Sequence, residues 1–189
     1  PGLKVVAPAW PEDAYVLLRE AVRDPTPVLF FEHKYLYRRV KAPLAPDSAA
    51  LGPGVEARAR IVRKGDEVTV VAWGWMVHRA LAAAPQLAGE GISVEVVDLR
   101  VLAPLEEETV LESVRRTGRA LVVHEAQLTG RFGGEIVSRI AERAFDSLDA
   151  PVRRLADPDH PVPFNKELEA RCLPDEERIA SSLRELAAW

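Results

Sequence analysis

The sequence has a single cysteine, no long apolar run and no excess of positive charge, and each of these absences excludes a class of protein. Cys172 is the only cysteine among 189 residues, which excludes an internal disulfide framework and a zinc site built from several cysteines. No apolar run approaches the roughly 20 residues that cross a bilayer, so no membrane contact is expected. With 25 basic against 29 acidic residues the formal net charge is −4, which argues against electrostatic binding of nucleic acid.

The residues that are present follow the pattern of an α/β protein. Apolar residues make up 48% of the chain and charged residues 29%, a balance typical of a soluble globular protein. Apolar runs typical of buried strands alternate with amphipathic segments of helical period. Strands are predicted at 3–7, 28–31, 59–63, 68–73, 94–99, 120–124 and 152–155, and helices at 11–22, 76–87, 105–117, 135–145 and 175–188. This alternation, with short connections, predicts a mostly parallel sheet with helices on both faces.

A segment rich in proline and glycine divides the chain into two unequal units. Residues 41–56 contain three prolines and two glycines without hydrophobic periodicity, which predicts a linker. The first unit, 1–40, is predicted as strand, helix, strand, and the second, 57–189, contains the larger sheet. The strand at 3–7 has no earlier strand to pair with, and one strand cannot bury a sheet face alone. We therefore expect a further portion of the protein to precede residue 1.

Histidines near strand ends and in loops are the first candidates for chemistry. His124 and Glu125 stand at the carboxyl end of a predicted strand, where α/β sites collect, and an imidazole beside an acid can transfer protons. The favoured alternative is a polar pair that closes the strand and contacts a neighbouring subunit. His33 and His160 fall in loops, and His78 is expected on a helix surface. No two histidines have the spacing of metal ligands, so a transition-metal site is not expected.

A glycine-containing loop lies between a predicted strand and the helix after it. Gly130, Gly133 and Gly134 stand where backbone N–H groups can bind an anion. Their spacing is not that of a dinucleotide fingerprint or of a P-loop, so a tight strand-to-helix turn is favoured over phosphate binding. Asp157 and Asp159 lie in a stretch with several prolines. Their carboxylates could bind a cation, but a role in stabilising turns explains them equally well.

The end of the first helix offers oxygen atoms that suit a hard cation. Ala21 and Val22 contribute terminal carbonyl groups, and Asp24 adds a carboxylate. From these residues alone, a plain helix stop is the simpler interpretation.

An ordered series of segments points to one family. The segments are Pro-Glu-Asp-Ala at 11–14, Ala-Val-Arg-Asp at 21–24, Glu-His-Lys at 32–34, Asp-Leu-Arg-Val-Leu-Ala-Pro-Leu at 98–105, His-Glu-Ala at 124–126, Gly-Gly-Glu-Ile at 133–136 and Asp-x-Pro-x-Pro at 159–163. The series resembles the beta subunit of thiamine-diphosphate-dependent 2-oxoacid dehydrogenases, the transketolase-like first component of the pyruvate and branched-chain complexes. The resemblance covers nearly the whole chain but only the second half of such a subunit. It implies that 57–189 form a transketolase C-terminal domain and that 1–40 are the tail of a pyrimidine-binding α/β domain.

The resemblance implies oxidative decarboxylation of a 2-oxoacid, with transfer of the acyl group to a lipoyl carrier. Thiamine diphosphate and magnesium would be held mainly by the portion before residue 1 and by an alpha subunit. None of the principal catalytic or cofactor-binding residues is therefore expected in this chain, and His124, Glu125 and His33 are its weaker catalytic candidates. The alternatives are the C-terminal part of a transketolase or deoxyxylulose phosphate synthase, and a non-catalytic assembly module.

The resemblance also implies a structural potassium ion at the end of the first helix. Its ligands would be the backbone oxygens of Ala21 and Val22, the carboxylate of Asp24 and the side chain of Thr26. Thr26 stands where the family usually has asparagine or aspartate, and is a weaker oxygen ligand. Such an ion would fix the helix end without entering the chemistry.

The implied partners are an alpha subunit, a second beta subunit in an α2β2 tetramer, and the binding domain of the lipoyl acyltransferase. A basic partner would suit the acidic residues near the end of the chain, although a solvated helix face explains them equally well: Glu169, Asp175, Glu176, Glu177 and Glu185. The substrate is left open among pyruvate, branched-chain oxoacids and acetoin. The expected location is the cytoplasm, or the mitochondrial matrix if the source is eukaryotic.

Overall fold

The first unit is a small α/β layer. The computed structural model describes residues 2–43 and 58–189. Strand β1 (Lys4–Val6) leads to helix α1 (Pro11–Arg23) and then to strand β2 (Val28–Phe30), which pairs parallel to β1. Proline at the first helical position and acidic residues in the first turn favour the start of α1, because the amino-terminal end of a helix carries partial positive charge. A short 3-10 turn at Leu36–Arg38 follows β2.

The second unit contains a five-stranded sheet of order β3-β5-β4-β7-β8. The edge strand β3 runs antiparallel to β5 and every other pair is parallel, as predicted for a mostly parallel sheet. The strands are β3 (Arg60–Arg63), β4 (Val68–Ala72), β5 (Val94–Asp98), β7 (Ala120–Gln127) and β8 (Arg153–Asp157). The helices are α2 (Trp75–Gly89), α3 (Glu108–Thr117), α4 (Phe132–Arg143), α5 (Lys166–Cys172) and α6 (Glu176–Ala187), with a 3-10 turn at Phe145–Ser147.

Helices cover both faces of this sheet. Every residue of β4 is buried, and its successive side chains enter opposite hydrophobic clusters, as period-two alternation requires. Val70 packs with residues of α2 and α6, whereas Val71 packs with residues of α3 and α4. The α/β class with helices on both faces is confirmed.

A sixth strand, β6 (Val101–Ala103), crosses from the second predicted unit to the first. It pairs antiparallel with β1 and completes a three-stranded sheet of order β2-β1-β6. The sequence does not predict β6, because three residues are too few to show a period and their partner lies almost a hundred residues away. The predicted division at 41–56 stays a prediction, and its residues 44–56 lie outside the described ones.

Other boundaries also differ from those predicted. Helix α3 begins at Glu108 rather than at 105, and the Glu106 carboxylate just before it accepts hydrogen bonds from the backbone N–H (3.2 Å) and hydroxyl (2.7 Å) of Thr109 in the first turn. Helix α4 begins at Phe132, three residues early, which places Gly133 inside it. Strand β7 extends three residues further than predicted. Helix α5 is not predicted at all, since only Cys172 in it is buried and no apolar stripe marks it.

A buried charge network joins α1 to the strand end at residues 98–100. Asp13 is 2% exposed, and its two carboxylate oxygens accept hydrogen bonds from Arg100 (2.7 Å) and Arg60 (2.8 Å). Arg100 has φ 58°, and its backbone N–H donates to Asp98 at 3.1 Å. Burial, and then the negative charge of Asp13, raise the pKa of Asp98 to about 7. The two units are therefore tied together by the buried carboxylate of Asp13 and the largely buried guanidinium group of Arg100, with the more exposed Arg60 at the edge of the network.

Candidate functional site

Two of the candidate residues meet across the two units. His33, in the loop after β2, places its Nε2 atom 2.8 and 3.0 Å from the two carboxylate oxygens of Glu125 in β7. Both side chains are partly buried. The hydrogen bond to Glu125 raises the pKa of His33 above its ordinary value, although burial opposes the shift. The structure thus forms a histidine–acid pair from residues 92 positions apart.

His124 points to the opposite face of the sheet from its neighbour Glu125, as strand geometry requires. Its ring is 1% exposed and lies nearly parallel to Trp73, with centroids 5.5 Å apart. Neither ring nitrogen has a hydrogen-bond partner within residues 2–43 and 58–189, and burial lowers the pKa of His124. The ring is therefore neutral near pH 7 and packed, and the adjacent pair His124–Glu125 does not form.

His78 is half-buried rather than on an open helix surface as expected. Its Nε2 atom lies 2.8 Å from the carbonyl oxygen of Ala9, so that nitrogen donates the hydrogen bond. Its ring lies against Trp75 and Trp10, with centroids 5.6 and 4.5 Å away. Burial lowers the pKa of His78. Its hydrogen bond to Ala9 makes it a further contact between the two units.

A small cavity of about 210 Å³ opens beside the His33–Glu125 pair. Its walls are mainly apolar, and its polar groups come from the loop after β2: Glu32, His33 and Tyr37. The Tyr37 hydroxyl donates to the carboxylate of Glu32. The cavity is smaller than the about 300 Å³ of a typical ligand pocket, so within the described residues it has room for only a small group.

The end of α1 brings Asp24 and Thr26 together. The Thr26 hydroxyl and backbone N–H donate to Asp24 Oδ1 at 2.6 and 2.9 Å, while Lys4 pairs with Asp24 Oδ2. The hydrogen bond from Lys4, and then those from Thr26, lower the pKa of Asp24 to about 2. Ala21 and Val22 lie in the last turn of the same helix. The two side chains implied as potassium ligands are thus adjacent, but an ammonium group that the sequence did not indicate competes for the carboxylate.

The glycine loop fits a packing role. Gly130 has φ 68°, a left-handed conformation that glycine tolerates, and Gly133 lies directly against the His124 ring. A groove of about 860 Å³ runs beside this loop and includes three arginines, Arg131, Arg139 and Arg154. Arg139 is engaged by Glu135 and Glu107, and Arg154 donates to the Leu128 carbonyl at 2.7 Å. The choice between a tight turn and phosphate binding at this loop stays a prediction, with the turn favoured.

Three of the five acidic candidates near the end of the chain have local partners. Asp175 caps α6 by accepting from the Arg178 backbone at 2.8 Å. Glu176 pairs with Arg79, and Glu185 pairs with Arg153. Glu169 and Glu177 are exposed, and they are the two that remain best placed to meet a basic partner.

Glu125→Gln is expected to lower the pKa of His33, because the amide removes the negative charge that stabilises the imidazolium. Since the folded-state pKa of His33 is raised, the pair adds stability that is full below pH 6.5 and is lost as the pH rises through the raised value. The variant should therefore lose about 1 kcal/mol or less at pH 6, and less at pH 9. NMR titration of His33 and thermal unfolding at both pH values measure this, with Glu135→Gln as the control. An unchanged pKa for His33 would contradict the pairing.

No helix in residues 2–43 or 58–189 combines the length and apolarity that a bilayer span requires.

Comparison with known proteins gives one consistent relationship. Residues 57–179 match the family described as transketolase, C-terminal domain. The 2-oxoisovalerate dehydrogenase subunit beta of Bacillus subtilis (strain 168) is 43% identical over 190 residues, which cover 100% of this chain and 57% of that protein. The beta subunit of acetoin:2,6-dichlorophenolindophenol oxidoreductase from Cupriavidus necator is 46% identical over 184 residues, 97% of this chain and 53% of that protein.

A solved structure agrees with the sequence relatives. A chain described as a split-gene transketolase, inactive beta4 tetramer, superposes with a TM-score of 0.75 and 25% identity. The match covers 100% of this chain and 58% of that one. The chain therefore spans a little over half the length of each of these proteins.

Proposed function

This chain belongs to the family of the transketolase C-terminal domain, and from that premise we propose that it is the carboxyl-terminal part of a 2-oxoacid dehydrogenase beta subunit. The complete protein, with an alpha subunit, decarboxylates a 2-oxoacid oxidatively and passes the acyl group to a lipoyl carrier. The observation that carries the proposal is the 43% identity to a 2-oxoisovalerate dehydrogenase beta subunit over all of this chain. The bacterial relatives support a location in the cytoplasm, and for a eukaryotic source we propose the mitochondrial matrix.

We propose that the cofactor is held outside this chain. Thiamine diphosphate, when bound, supplies the carbanion-stabilising chemistry that decarboxylation of a 2-oxoacid requires. The relatives extend well beyond the matched part, and among the described residues the mainly apolar cavity beside His33 is too small for such a cofactor. The magnesium ion and the diphosphate are assigned to the alpha subunit, and the pyrimidine contacts to the portion before residue 1.

The chain's own residues then serve mainly to assemble the subunit. The His33–Glu125 pair and the buried Asp13–Arg100 contact fasten the first unit to the sheet, while His124 fills the space between Trp73 and α4. We assign His33 and Glu125 to positioning, because their contact joins the loop after β2 to β7 and the other ring nitrogen, Nδ1, is buried without a hydrogen-bond partner among the described residues. Glu169 and Glu177 face solvent and are proposed to meet the binding domain of the acyltransferase.

A potassium ion at the end of α1 is also proposed, as a structural ligand. Asp24 and Thr26 offer adjacent oxygen atoms, and the last carbonyl groups of the helix lie in the same turn. Lys4 balances the carboxylate in the structure, so the ion has to displace its ammonium group from Asp24.

Reconstitution of the complete subunit with its alpha partner tests the proposal. We expect reduction of dichlorophenolindophenol by pyruvate, a branched-chain oxoacid or acetoin only when both subunits and thiamine diphosphate are present. Potassium chloride should raise the melting temperature above that in sodium chloride at equal ionic strength, and Asp24→Ala should abolish the difference. Transfer of a ketol unit between sugar phosphates would instead support a transketolase. Failure to associate with the alpha subunit would support an assembly module.

A further inference from the structure

Three potential metal ligands from different parts of the chain come together beyond the end of β8. Asp157 ends that strand, His160 lies in the following loop and Cys172 ends α5. One ligand atom from each lies within 4.8 Å of the other two. His160 Nε2 and Asp157 Oδ1 are 3.7 Å apart, too far for a hydrogen bond. We infer that Asp157, His160 and Cys172 form a binding site for a divalent transition-metal ion of the zinc class.

The buried carboxylate gives the independent reason for a cation at this place. Asp157 is 2% exposed, and its Oδ1 atom has no hydrogen-bond partner among the residues that the structure describes. A buried carboxylate oxygen without a donor is unfavourable, and a cation beside it removes that cost. The position of Asp157 is fixed by its strand, because its carbonyl oxygen accepts a 3.0 Å hydrogen bond from Leu128. The backbone of Asp157 is therefore held in place, and its Oδ1 atom is available to a cation.

The donor set and its spacing suit zinc. Zinc bonds of about 2.0 to 2.3 Å place tetrahedral ligand atoms about 3.3 to 3.6 Å apart, so a contraction of at most about 1.5 Å closes the site. When the ion binds, Cys172 releases its thiol proton to solvent and exchanges its 3.0 Å hydrogen bond to Leu168 for a bond to the metal. One thiolate and one carboxylate balance the two positive charges. The fourth position stays open to water or to a ligand from outside the chain.

The consequence of such an ion is local order. In α5 only Cys172 is buried, and most of the loop before it is exposed, including the apolar side chains of Val162 and Phe164. Without metal this segment is attached mainly through Cys172 and its neighbours. With metal, His160 and Cys172 are both fixed to the end of β8, so the exposed segment between them becomes a closed loop on the sheet.

Binding of zinc and of cobalt(II) alone to the complete protein, freed of metal by a chelator, tests the site. We expect one ion per chain, and with cobalt a thiolate charge-transfer band together with the intense visible absorption of tetrahedral coordination. Cys172→Ala should remove the charge-transfer band. His160→Gln, which changes a partly exposed side chain and should leave the fold intact, should weaken zinc binding at least about 100-fold. Asp146→Asn removes an exposed carboxylate elsewhere and should change neither result.

Limited trypsin digestion gives a readout of the local order. Zinc should slow cleavage after Lys166 and Arg171, both exposed in α5, by about tenfold or more in the unsubstituted protein and not in His160→Gln. The inference is overturned if cobalt gives no thiolate band. It is equally overturned if zinc binds with unchanged affinity after both Cys172→Ala and His160→Gln.

Discussion

Asp13→Ala is expected to remove about 3 to 5 kcal/mol of unfolding free energy, the largest effect predicted for a single substitution in this chain. Asp13 is the partner of both Arg60 and Arg100, and Arg100 is only 8% exposed. Truncating the carboxylate removes the hydrogen-bonded counter-charge of a largely buried guanidinium group, which then keeps only its 3.1 Å hydrogen bond to the Arg58 carbonyl and the nearby carboxyl of Asp98. Because the Asp13 charge also raises the pKa of Asp98, the substitution should lower that pKa.

Urea unfolding of the complete protein measures the change, and Glu108→Ala is the matched control. Glu108 pairs with Arg115 at 2.8 Å on the surface, where both side chains are largely exposed. Its loss should change the unfolding free energy by about 0.5 kcal/mol or less. If the two substitutions destabilise the protein equally, the Asp13 network does not join the units as described.

Gly133→Ala is expected to cost about 1 to 3 kcal/mol, the second largest effect. A Cβ atom at position 133 would lie 2.3 Å from Cδ2 and 2.4 Å from Nε2 of His124. That ring has little freedom to move, since it is 1% exposed and stacked on Trp73. The new methyl group must therefore displace either α4 or the ring from its place.

The neighbouring glycine provides the control for this prediction. At Gly134 the nearest atom to a new Cβ is Arg154 Nη1 at 3.3 Å, the end of a flexible side chain. Gly134→Ala should leave stability unchanged or raise it by up to about 1 kcal/mol, because alanine favours the helix. Urea unfolding of both variants measures the contrast, and His124→Ala in the Gly133→Ala background should recover part of the loss. Equal effects at the two positions would contradict the packing of His124.

The layers of the fold could be predicted from the sequence because they depend on the regular spacing of apolar residues along strands and helices. The run from Val68 to Ala72 is apolar on both faces apart from one threonine, which fits a central parallel strand, and the apolar stripes of α2 and α6 fix the face that each presents. Elements without a regular apolar spacing could not be predicted. Strand β6 is three residues long, and α5 buries one side chain.

The sequence indicates which residues could belong to the candidate site, but not which of them are in contact. His33, His124 and Glu125 were all indicated by their places in loops or at a strand end. Which of them meet depends on strand alternation and on the packing of the first unit against the second, neither of which spacing reveals. The sequence predicts no site at Asp157, His160 and Cys172, because their separations in the chain follow no common metal-ligand spacing.

The pairing of β6 with β1 has a consequence for synthesis on the ribosome. Val6 lies opposite Val101, so one edge of β1 stays open until the chain has grown by 95 residues. At about 5 to 20 residues per second this takes about 5 to 20 seconds. During that time the nascent first unit exposes unpaired backbone groups, the kind of edge on which chains aggregate. A chaperone that covers that edge before β6 is made would therefore protect the chain from aggregation.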